Sequence, residues 1–197
     1  AVEVWPGRIA GFRPLRGLSV FARYELSPVG QQVTGENPMS LGGEVSSKWT
    51  SLEISLRERL QFGTFVVEPS GGYVQDTFHF EAKDTMDLDA MPEAAYQSIR
   101  LGGRLAFVAE SIEPYVGVET RIVKSGGTFE SRLGDATASA FRGALGLSIT
   151  RGSLAARLEG TAMRYSWTIH PDTTSKWAAT GASDTLLSFS AVLGYQL

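Results

Sequence analysis

The chain of 197 residues has no cysteine, only two histidines and no long apolar run, and each scarcity removes a class of answers. Without cysteine there is no disulfide framework and no thiolate metal site. No segment approaches the roughly 18 consecutive apolar residues that a spanning helix requires, so a helical membrane protein is excluded. The weakly acidic balance, a net charge of −3, argues against nucleic acid as a partner. His79 and His170 leave little material for general-base chemistry. Ala1 starts no recognisable signal peptide, so an exported protein of this sequence would carry its signal upstream of this numbering.

What the chain has instead is alternation. From Leu187 every second residue is apolar (Leu187, Phe189, Ala191, Leu193, Tyr195, Leu197) while the intervening positions are mostly small or polar, the pattern of a strand with one oily face. The same pattern recurs upstream. Leu18 to Ser27 alternates around Arg23 and Glu25; Trp49 to Phe62 sets Leu52, Ile54 and Leu56 against Glu53, Arg57 and Arg59. A third strand ends near Phe80, a fourth sets Ile99, Leu101 and Leu105 against Arg100 and Arg104, and a fifth sets Val116, Val118 and Ile122 against Glu119 and Arg121. A sixth carries Arg142 and a seventh Arg157 and Glu159 among their polar positions; the seventh loses its parity toward Tyr165 and Trp167, which predicts a bulge. The terminal strand makes eight.

Pro- and Gly-rich or acidic stretches alternate strictly with tight turns between these strands, so an antiparallel up-and-down sheet would carry its long loops at one end and its short turns at the other. Residues 1–17 read as an N-terminal segment, a truncated strand and a turn, and 18–197 as one barrel domain. Eight strands are readable, or the major part of ten if Ala1 to Trp5 is the tail of another strand. With eight, the last strand closes against Leu18 to Ser27. An internal repeat supports the layout: Arg59-Leu60-x-Phe62, then Glu68-Pro69-x-x-Gly72, recurs as Arg104-Leu105-x-Phe107, then Glu113-Pro114-x-x-Gly117, each copy spanning one hairpin. On the third strand, the repeat and the pair Phe78 and Phe80 give opposite parities, which leaves the facing of His79 open.

Alternation alone does not say whether the oily face meets a core or lipid, so a soluble lipocalin-like barrel is the rival architecture. The polar face favours lipid outside. It is built from Arg23, Arg57, Arg59, Arg100, Arg104, Arg121, Arg142 and Arg157 beside Glu25, Glu53, Glu110, Glu119 and Glu159, without lysine. Arginine is the residue suited to forked pairing with carboxylates in a confined space. Aromatic residues also fall near both strand ends, Phe62, Phe107, Tyr115 and Tyr195 at one and Tyr24, Trp49, Phe78, Tyr96, Phe141, Tyr165 and Trp167 at the other, as two interfacial girdles would. Strands of about 10 to 14 residues suffice to cross the hydrocarbon when tilted.

On this architecture and on the end motif formed by Phe189, Leu193, Tyr195 and Leu197, the chain from Leu18 resembles the small bacterial outer-membrane barrels of the OmpA-like type. The resemblance implies that the insertion machinery reads that terminal strand, although Leu197 stands where phenylalanine is usual. It further implies an outer-membrane location in a Gram-negative-type envelope, contact with lipid and lipopolysaccharide, and a monomer. The expected function is a non-enzymatic structural or surface-interaction barrel, without cofactor or metal, whose lumen is plugged by paired charge. The competing readings are a narrow channel or porin, a lipid A-modifying enzyme built around His79 with Ser40, Ser46 or Ser98, and a soluble ligand-binding barrel. Asp84, Asp87 and Asp89 lack the glycine and distal glutamate of a calcium loop, so they read as a solvated loop or one bridged to lipopolysaccharide.

Overall fold

The computed structural model describes residues 1–6, 16–27, 45–82, 94–127, 135–170 and 180–195. The fold is all-β: β1 (Val2–Val4), β2 (Leu18–Ser27), β3 (Val45–Glu58), β4 (Leu60–Phe62), β5 (Phe65–Ala82), β6 (Ala94–Phe107), β7 (Ile112–Ser125), β8 (Asp135–Arg151), β9 (Leu154–His170) and β10 (Gly181–Tyr195). Every strand pairs antiparallel with its neighbour in sequence, apart from β4, which continues β3 past Arg59 and pairs with β5. The sheet curls into an open half-barrel, as the alternating pattern of an antiparallel barrel requires. Tight curvature shows at Gly102, where a Cβ would come within 2.6 Å of the Val118 carbonyl oxygen on the next strand.

Connections 63–64, 108–111 and 152–153 lie at one end, and the strand ends that flank the four longer intervals, Ser27 and Val45, Ala82 and Ala94, Ser125 and Asp135, His170 and Gly181, lie at the other. Each short turn carries a left-handed residue: Gly63 and Gly152 in the first loop position and Glu110 just after the Ala109–Ile112 bridge, with φ of 62°, 60° and 53°. Glu110 is the one non-glycine residue described with positive φ. Side chains other than glycine pay about 1–2 kcal/mol there. Glu110→Gly is therefore expected to raise stability by about 1 kcal/mol, read as a higher urea midpoint in detergent.

Two expectations change. β10 pairs with β9 alone among the described residues and not with Leu18 to Ser27, as eight strands would require; Val20, Phe21 and Ala22 hold β1 instead, so residues 2–4 are a strand, as the ten-strand alternative expects. Nor is there a bulge in β9, which runs in unbroken register with β8 and β10 through Tyr165 and Trp167. The register shift falls between Gln97 and Ser98 of β6, against Val123 to Ser125 of β7.

What looked like a slip in β9 is an exchange of polarity along the strand. Through most of the sheet the outer face is apolar and open, with Leu145 67% and Leu193 87% exposed, while arginine and glutamate face inward. Toward the long-loop end this reverses. Tyr165, Trp167 and Ile169 of β9 are buried on the inner face, while Arg164, Ser166, Thr168 and His170 are exposed on the outer. β5 behaves alike: Phe78 joins the inner cluster and His79 is exposed outside, which settles the facing of His79. On β6 and β7, Gln97 and Lys124 are exposed outside, with Tyr96 buried and Val123 packed within.

Candidate functional site: the charged lumen and its seal

Inward-facing residues form layers. Nearest the long loops lies an apolar seal in which Tyr96 stacks on Tyr165 at 4.2 Å between ring centroids, with Trp167 at 5.6 Å and Phe78 at 5.7 Å from Tyr96. Met163, Ala136, Ala140 and Ile169 complete it. These aromatics therefore do not all form girdles: Tyr24, Phe141, Phe62, Phe107 and Tyr195 are exposed outside, whereas Tyr96, Tyr165, Trp167 and Tyr115 are buried within. Alternation in sequence does not reveal on which side of the sheet an aromatic falls.

Beneath the seal, the Tyr165 hydroxyl donates to Asp76 Oδ2 at 2.5 Å and accepts from Arg121 Nη1 at 2.9 Å, and Arg121 pairs with Asp76. Arg121 also reaches Glu119 at 2.6 Å, linking the seal to the charges below.

The next layer is a ring of alternating charge. Glu53 pairs with Arg100, Arg100 with Glu119 at 3.1 Å, Glu119 with Arg142 at 3.5 Å, Arg142 with Glu159 at 2.7 Å, Glu159 with Arg23 at 3.9 Å, and Arg23 with Glu53 at 2.9 Å. Six strands contribute one member each, and the contact between Arg23 on β2 and Glu159 on β9 spans the opening that the backbone leaves. Glu53, 1% exposed, also receives Arg57 at 3.2 Å and the Ser55 hydroxyl at 3.0 Å. Glu25 sits 3.3 Å from Arg23. Buried charge on this scale is tolerable only because each carboxylate in the ring meets at least two guanidinium groups.

Toward the short turns the sequence repeat becomes a quartet. Arg59 contacts Glu68 at 2.7 Å and Glu113 at 2.6 Å, while Arg104 contacts Glu68 at 2.7 Å and Glu113 at 2.9 Å. Pro69 and Pro114, which follow the two glutamates, lie inside β5 and β7 with outward, exposed positions. Beside the quartet is a cavity of about 890 Å³ whose wall includes Phe21, Arg57, Tyr115 and Arg157. The Arg57 guanidinium lies 3.4 Å over the Phe21 ring and that of Arg104 4.6 Å over Tyr115, whose hydroxyl donates to Glu159 at 2.9 Å.

Most lumen residues expected from sequence thus form ion pairs, in two clusters: Arg23, Glu25, Glu53, Arg57, Arg100, Glu119, Arg121, Arg142 and Glu159 around the ring, and Arg59 and Arg104 in the quartet. Arg157 reaches Ser148 Oγ at 3.4 Å. Glu110 stands apart, exposed on its turn, because the left-handed residue there belongs to neither strand face. Glu68, Glu113 and Asp76 were not foreseen; the repeat had already placed the first two at matching distances from Arg59 and Arg104. Of the terminal motif, Phe189, Leu193 and Tyr195 are exposed on the outer face and Leu197 lies outside the described residues.

Of the residues named for the catalytic alternative, the described ones lie on opposite faces of the sheet. His79 is on the outer face and Ser98, fully buried, on the inner one; Ser40, the side chain of Ser46 and the Asp84, Asp87 and Asp89 loop lie outside the described residues. Among the described residues no group of three or more metal-ligating side chains gathers, and no helix is long and apolar enough to cross a membrane.

The layers depend on small residues at set places. Gly146 lies under the Tyr115 ring, and a Cβ there would collide with the phenol. Gly146→Val is expected to displace Tyr115, break its bond to Glu159 and cost about 1–3 kcal/mol by overpacking. The urea midpoint would fall accordingly, and Gly143→Val, at a position with open space around a built Cβ, serves as the control.

Comparison with protein-family models, curated proteins and solved structures gives no match to this chain.

Proposed function

We propose that the chain is an integral outer-membrane β-barrel of the small, OmpA-like type, non-enzymatic, whose lumen is plugged by paired charge and whose long loops face the cell exterior. The carrying observation is the polarity of the sheet: an apolar, open outer face around an inner face of buried ion pairs, with ordinary polarity restored at the long-loop end. A soluble lipocalin-like barrel places its apolar face inside, whereas an outer-membrane barrel carries an apolar band outward above a polar interior. The layout also supports long loops outside and short turns on the periplasmic side. The tyrosine and tryptophan seal above the charge ring argues for a structural or surface-interaction role over conduction.

The purified chain is expected to partition into detergent or lipid, to run with heat-modifiable mobility, and to give no conductance steps in planar bilayers. A protein that stays dispersed in water without detergent and shows one gel mobility would end the membrane reading. Conductance steps would return the narrow-channel reading in its place.

A further inference from the structure

Each lumen arginine except Arg157 has a carboxylate within ion-pair range among the described residues. Arg157 instead touches a neutral hydroxyl, Ser148 Oγ at 3.4 Å, and lies 5.9 Å from the Tyr115 ring centroid. It stands on the wall of the cavity of about 890 Å³ beside Arg57 and Arg104. Both neighbours hold unspent donors: Arg57 Nε and Arg104 Nη1 are buried without a hydrogen-bond acceptor. The nearby carboxylates are committed, Glu68 and Glu113 to two arginines each and Glu159 to Arg142 and Tyr115. Glu3, also on the wall, accepts from Ser19 Oγ at 2.7 Å and forms no ion pair with Arg157.

A surplus guanidinium in a confined, largely protein-lined space is costly until an anion joins it. The cavity is within the size range of small-molecule sites. The aromatic seal covers the long-loop end, and the cavity opens along the gap between the two sheet edges, β1 and β10, both of which line it.

We propose that this cavity is an anion site: a phosphate or carboxylate group sits against Arg157, with Arg57 and Arg104 flanking it and the Ser148 hydroxyl as an additional donor. Forked guanidinium contacts are the natural receptors for such groups. The wall also carries the apolar side chains of Phe21 and Val192, which suits an apolar body attached to the anion, so a free oxyanion and a lipid headgroup are both chemically apt. The site stands independently of the membrane reading, since it rests on charge and space within the lumen alone.

The test uses the full chain in a neutral detergent, titrated calorimetrically with inorganic phosphate, and in a second arm reconstituted into nanodiscs of phosphatidylcholine with a minor fraction of phosphatidylglycerol, whose retention per barrel is measured. Arg157→Gln is compared with Arg151→Gln, which removes the same charge from the exposed β8–β9 turn. Saturable phosphate uptake, weakened at least tenfold in Arg157→Gln and preserved in Arg151→Gln, establishes a free-anion site. Retained phosphatidylglycerol with the same variant pattern and no phosphate uptake establishes a lipid-headgroup site. Binding in neither arm overturns the proposal, as does binding that both variants weaken equally. A wild-type β-sheet circular-dichroism spectrum of each variant confirms that the sheet is folded in every arm, whether or not the membrane reading holds.

Discussion

Replacing Glu53 with leucine is expected to be the most damaging single change in the lumen, lowering stability by about 3–5 kcal/mol or preventing folding altogether. This carboxylate is buried at 1% exposure and shared by Arg23, Arg57 and Arg100. Its loss leaves Arg57 with no other ion-pair partner among the described residues, while Arg23 and Arg100 fall back on Glu25, Glu159 and Glu119. Glu53→Gln separates charge from shape, since an amide oxygen can still accept from Ser55. If charge dominates, Glu53→Gln loses nearly as much as the leucine variant, and Glu53→Gln with Arg57→Gln recovers part of the loss by restoring the local balance. Urea titration of the folded gel band reads both. Equal midpoints for wild type and Glu53→Gln would show that the ring contributes no charge-dependent stability.

The second large effect concerns the outer face. Leu145→Arg, at a central outward position on β8 that is 67% exposed, should cost about 2–4 kcal/mol of insertion free energy if that face lies in hydrocarbon. Membrane-inserted protein would drop sharply, with synthesis unchanged. Thr168→Arg, in the polar outer band near the long loops, should insert like wild type. The contrast separates the two architectures: a water-facing Leu145 would make the arginine neutral or solubilising. Normal insertion of Leu145→Arg would remove lipid from the description of that face.

The strands were legible because each carries one apolar face over a long run, and period two survives whichever side that face meets. The direction of that face was legible only indirectly, through the arginine-rich composition opposite it. The exchange of polarity in β9 was not legible. Tyr165 and Trp167 keep the inward parity of Arg157 and Glu159, yet they are apolar, so a pattern rule reads a bulge where the backbone runs straight. Phe78 against His79 repeats the difficulty on β5. Glu68 and Glu113 illustrate another limit: they sit just past the turns, where alternation has barely begun, and their pairing with Arg59 and Arg104 depends on four strands meeting in space. The real bulge, opposite Gln97 and Ser98, leaves no clear mark in apolar spacing because Gln97, Ser98, Lys124 and Ser125 are all polar.

If the apolar outer face lies in lipid as proposed, the reversal of polarity near the long loops would also fix a waterline. In a bilayer, Lys124 and Arg164 resist being drawn below it, each at a cost approaching about 2–4 kcal/mol as it nears the midplane. At the opposite rim, Arg151 and the exposed Glu110 resist being drawn up. A barrel bounded in this way drifts sideways and spins about its axis but has almost no freedom to bob. The long connections would then be presented at a constant height above the lipid, which would let the charge-filled sheet act as a mount for whatever they recognise.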